Sequence, residues 1–121
     1  MSDFKVLFVD DEEELVSALI ERLQYRDIDA AYELNGASAI ERMRREKYDI
    51  VVLDLKLPGI SGAETLRVVK QEHPDIPVIL ITGHLPSGEP DEIPRGAADY
   101  LIKPINIDVL IKKIVQALDR K

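Results

Sequence analysis

Cysteine is missing from the 121-residue sequence. That excludes disulfides, thiol catalysis and cysteine-ligated zinc or iron–sulfur centres, and it agrees with a reducing cytoplasm, the expected location. Histidine occurs only at His73 and His84, both read as surface residues, so Ser/His/Asp chemistry and multi-histidine metal sites have few candidates. Long hydrophobic runs are also missing. Ile50–Leu53 and Val78–Ile81 are about four residues each, whereas a membrane span needs roughly 20. The opening Met-Ser-Asp-Phe-Lys carries no signal-peptide core. Basic charge is in deficit, with 16 Lys+Arg against 23 Asp+Glu and a net charge of −7. Most of the excess acid lies in residues 1–60, which hold 14 acidic and 8 basic side chains. Neither direct nucleic-acid binding nor a polybasic membrane anchor is expected from such a surface.

What is present suits one domain over residues 1–121 with a real core, since 45% of the residues are apolar. Val6–Val9, Ile50–Leu53, Val78–Ile81 and Tyr100–Ile102 are continuous apolar runs, and Ala30–Leu34 is a weaker one. Continuous rather than alternating hydrophobicity predicts strands covered on both faces, as in a parallel sheet. Amphipathic stretches lie between them. Leu15, Leu19 and Leu23 mark a helix from about Glu12 to Tyr25. Ala37, Ile40 and Met43 mark a second, entered at Asn35-Gly36. Ala63, Leu66 and Val69 mark a third, and Leu110, Ile114 and Leu118 mark the last, capped by Asn106. This alternation predicts an α/β fold with right-handed crossovers. The fourth crossover, residues 83–97, contains Pro86, Pro90 and Pro94. An interior proline costs a helix about 3 kcal/mol, so this segment is expected to be mostly loop.

Functional groups in an open parallel sheet gather at the carboxyl ends of the strands, near the switch in strand order. Asp10 and Asp11 follow the first apolar run, Asp54 follows the third, Thr82 the fourth and Lys103 the fifth. Two unit charges about 5 Å apart repel by roughly 3 kcal/mol at an effective dielectric near 20. Three carboxylates at one edge would therefore cost an amount comparable with the whole stability of a small domain. A divalent cation removes that cost, and Mg²⁺ prefers oxygen ligands together with a phosphate. Asp54 would then attack phosphorus and form an acyl phosphate. Mg²⁺ and Lys103 would neutralise the phosphoryl oxygens, and the Thr82 hydroxyl would donate a hydrogen bond. No general base is needed, because an aspartate is ionised at neutral pH.

Asp10-Asp11, Asp54 within Leu-Asp-Leu-Lys-Leu-Pro-Gly, Thr82-Gly83 and Lys103-Pro104, in this order and each at a strand end, resemble the receiver domain of two-component response regulators. The resemblance covers nearly the whole chain. It implies a flavodoxin-like, doubly wound, five-stranded parallel sheet of order 2-1-3-4-5, here with the fourth helix shortened or replaced by a Pro-rich loop. It implies Asp54 as phosphoacceptor, Asp11 and Asp54 as direct Mg²⁺ ligands, and Asp10 acting mainly through water. The Lys56 backbone carbonyl would be the remaining protein ligand. Thr82 and Lys103 would contact the phosphoryl group, Tyr100 would follow the switch, and Lys103-Pro104 would be cis. Lys56 and His84 stand where the family tunes the lifetime of the phosphate. A histidine kinase or phosphotransfer protein is the implied donor, with an output partner or an output domain in a longer native chain. On this reading the chain is a signalling domain that catalyses only its own phosphorylation and dephosphorylation.

Each residue also has a plainer reading. Acids from Asp10 to Glu14 suit a helix N-terminus, Asp54 suits a Pro-Gly turn, and Lys103 suits an exposed surface. Two rival functions follow. One is a Mg²⁺-dependent aspartyl-phosphate phosphatase, which wants a second carboxylate where Lys56 stands. The other is a receiver-like interaction module without phosphorylation.

Overall fold

A computed structural model describes residues 4–83 and 94–119. The element order is β1 (Lys5–Val9), α1 (Glu13–Gln24), β2 (Asp29–Glu33), α2 (Gly36–Arg45), β3 (Ile50–Asp54), α3 (Gly62–Glu72), β4 (Val78–Thr82), β5 (Asp99–Ile102) and α4 (Ile107–Asp119). The five strands form one parallel sheet, as the apolar runs predict, in the order β2-β1-β3-β4-β5 that the family resemblance implies. The expected shortening of the fourth crossover helix falls on residues 84–93, outside the described residues.

The apolar runs become strands because both faces are covered. One face carries Val6, Phe8, Ile50, Val52, Ile79 and Ile81, packed against Val16, Leu19 and Leu23 of α1 and Leu110 and Ile114 of α4. The opposite face carries Leu7, Val9, Val51, Leu53 and Leu80, packed against Ile40 and Met43 of α2 and Leu66 and Val69 of α3. β2 has one neighbour only and is half-buried, which explains its weaker apolar signal. The helix entries follow side-chain caps: Asn35 accepts from the Ser38 amide, Ser61 from the Glu64 amide, and Asn106 from the amides of Asp108 and Val109. His73 corrects an expectation. It ends α3, and its Nε2 is buried there with no hydrogen-bond partner among the described residues.

The order reverses across the β1/β3 pair, so the chain ends of these two strands open into the crevice between the helix layers. Val9 pairs with Leu53, and one further step along that register sets Asp10 beside Asp54. Gly62 fixes the far wall. A Cβ there would lie 2.5 Å from the Asp54 carbonyl oxygen, 2.5 Å from Leu55 Cα and 2.6 Å from the Leu55 carbonyl oxygen. All three obstacles are backbone, so nothing can rotate aside. Gly62→Ala is expected to destabilise the fold by roughly 1–3 kcal/mol, measured by urea denaturation. Unchanged stability would show that α3 does not rest on the β3 exit.

Candidate active site at the strand ends

The two central acids are held by their own local backbone. Asp10 leaves β1 with its amide bonded to the Glu33 carbonyl of β2 at 3.1 Å, and its Oδ1 accepts from the Glu12 amide at 2.9 Å. Asp54 ends β3, and its Oδ1 accepts from the Lys56 amide at 3.0 Å. The residue is only 4% exposed. Lys103 arrives from β5, where its amide bonds to the Thr82 carbonyl at 2.8 Å and the following Lys103-Pro104 peptide is cis. Its Nζ donates to Asp54 Oδ2 at 3.0 Å and lies 3.7 Å from Asp10 Oδ2. A third contact was not foreseen: the same Nζ donates to Glu12 Oε1 at 2.5 Å.

These contacts set the charge balance of the pocket. Burial raises the Asp10 carboxyl above the ordinary aspartate value. The Glu12 amide opposes that rise, the nearby Asp54 charge adds to it, and Lys103 works against it. Burial alone would lower the Lys103 ammonium, but its hydrogen bonds to Glu12 and Asp54 outweigh burial and leave it raised. Lys103 is thus a firmly held cation among acids.

Oxygen atoms of Asp10, Glu12 and Asp54 can all lie within 4.8 Å of one another. An all-oxygen donor set of this size suits a hard divalent cation such as Mg²⁺. Two of these acids were expected from the sequence. Asp11, expected as a direct ligand, is exposed and stands outside the group. Glu12 is the third acid of the group, and its only sequence signal was the acidic run that also suits a helix N-terminus. Thr82, 7% exposed, closes the same edge at the end of β4. Tyr100 lies on β5 opposite Leu80, half-buried against the α2/α3-side core, with Lys113 Nζ 5.8 Å from its ring centre. His84 falls outside the described residues.

The sequence matches the response regulator receiver domain family over residues 6–115. The chain belongs to that family. The uncharacterized transcriptional regulatory protein YkoG of Bacillus subtilis is 34% identical over 116 residues, covering 93% of this chain and 50% of that protein. The response regulator ArlR of Staphylococcus saprophyticus is 33% identical, covering 97% of this chain and 53% of that protein. The chain therefore spans about half the length of these curated relatives. Among solved structures, the response regulator TrrA of Thermotoga maritima, in complex with Mg²⁺ and BeF, is 30% identical with a TM-score of 0.81, covering 97% of this chain and 99% of that one. The signal receiver domain of a LuxO-type repressor from Vibrio parahaemolyticus is 33% identical with a TM-score of 0.85, covering 97% of this chain and 91% of that one. The protein is accordingly a receiver domain of two-component response regulators. No described helix is long and apolar enough to cross a membrane.

The charge balance predicts how the receiver responds to loss of its lysine. Lys103→Met leaves the buried Asp10 and Asp54 without their cation. It should lower stability in the absence of metal by roughly 1–3 kcal/mol. Added Mg²⁺ should then raise the melting temperature of the variant more than that of the wild type. Equal metal-free stability of the two proteins would refute this electrostatic account.

Proposed function

We propose that this receiver domain, residues 1–121, takes a phosphoryl group on Asp54 and uses it to change its surface around β4 and β5. The observation that carries the proposal is the placement of Asp54. It is buried at the end of the central strand, hydrogen-bonded to one lysine, and within reach of two further acids. The comparison with TrrA supports the same reading, since that relative is described with Mg²⁺ and BeF.

A carboxylate nucleophile needs no separate general base. A carboxylate oxygen attacks phosphorus, a P–O bond forms to Asp54, and the bond from phosphorus to the donor's leaving atom breaks. With a phosphohistidine donor that is a P–N bond, and the imidazole leaves with the electron pair. Asp10, Asp11, Asp54 and the Lys56 carbonyl would hold Mg²⁺, which when bound neutralises charge on the phosphoryl oxygens. Lys103 turns from the Asp54 carboxylate to a phosphoryl oxygen. The Thr82 hydroxyl donates to another, which draws the end of β4 inward, and Tyr100 fills the space released. The bound phosphate thereby shifts the population between two surface states. Where a second acid would serve a phosphatase acting on outside substrates, the chain has the exposed Lys56.

The donor is a histidine kinase or phosphotransfer protein. The recipient of the signal is an output partner, or an output domain of a longer chain, as the names of the transcriptional relatives suggest. The cytoplasm is the matching compartment. Incubation with Mg²⁺ and a small acyl- or amidophosphate should incorporate acid-labile phosphate into the wild type and none into Asp54→Asn. Normal labelling of that variant would overturn the assignment of the acceptor.

A further inference from the structure

Glu12 has no part in the mechanism above, yet it makes the shortest contact in the pocket. It occupies the N-cap position of α1 but makes no side-chain capping hydrogen bond. Its carboxylate reaches across the pocket mouth to Lys103 Nζ at 2.5 Å. The Glu12 side chain is 58% exposed, while Asp10 and Asp54 beneath it are 5% and 4% exposed. Lys103 is thereby gripped from two sides, by Asp54 below and by Glu12 at the rim.

We propose that Glu12 is a positioning residue that holds Lys103 at the mouth of the unphosphorylated pocket, and that this hold must be released when Asp54 is phosphorylated. The inference rests on the roles assigned to Asp54 and Lys103 above. An ammonium group has three N–H donors. A phosphoryl group on Asp54 brings about two negative charges and three strong acceptors into the space between Asp54 and the rim. Lys103 turns to those oxygens, and Glu12 loses its partner while facing a new charge of its own sign. That cost falls only on the phosphorylated state. Because Glu12 is largely exposed, its hold on Lys103 is modest, and removing it should shift the balance by about two- to fivefold.

Beryllium fluoride with Mg²⁺ serves as the phosphoryl probe, with its binding to the whole chain followed by fluorine NMR and calorimetry. Glu12→Gln removes the charge, and Glu12→Asp keeps the charge but shortens the reach by one methylene. Both variants should bind the probe about two- to fivefold more tightly than the wild type. Tighter binding by the Gln variant alone would overturn the proposal, because the effect would then come from the carboxylate's field rather than its grip on Lys103. Unchanged binding in both would overturn it too, as would weaker binding, which would make Glu12 a supporter of the metal or the phosphoryl group. Failure of the wild type to bind the probe is a distinct result that would remove the assignment of Asp54 itself, and this inference with it.

Discussion

Like charge forced together by strand pairing is the constraint around which this domain is organised. Parallel register between β1 and β3 brings Asp10 alongside Asp54, and neither can move away without breaking the sheet. Both are almost fully buried, so water screens their repulsion poorly. Lys103 supplies the counter-charge across β4 from the far side of the sheet, its backbone tied to Thr82. The pocket is thus held by pairing between strands distant in sequence, and the site and the fold share one set of hydrogen bonds.

This arrangement suits transfer chemistry better than turnover. Under the proposed phosphoryl transfer, a carboxylate nucleophile needs no separate base, so reactivity would depend on neutralising the incoming group. Neutralisation comes from groups already in place, which is the general advantage of a preorganised site. Thr82 ends β4 and Lys103 follows β5, so both groups stand on the β5 side of the pocket.

Much of this was legible in the sequence. Five apolar runs, each closed by Asp, Thr, Lys or Asn, are enough to give the sheet and its functional edge, because burial on both faces suppresses alternation. Asn106 could be read as a cap and Asn35-Gly36 as a helix entry, because short polar side chains are favoured at helix N-termini. Other features were hidden, for identifiable reasons. Glu12 sits in a run of acids that a helix N-terminus already accounts for, and only the fold shows its carboxylate turned toward Lys103. His73 was read as a surface residue, yet the turn after α3 buries its Nε2. The contact of Lys113 Nζ with Asp99 at 2.9 Å, beside the Tyr100 ring, likewise appears only in the fold. Each of these features concerns a long or polar side chain whose surroundings are set by the tertiary fold, which periodicity cannot register.

The absence of a side chain at Gly62 has a mechanical meaning. Backbone meets backbone where α3 crosses the exit of β3, and such a contact has no rotamer to give. A missing methyl group thus lets the helix sit directly on the strand that ends in the buried acid.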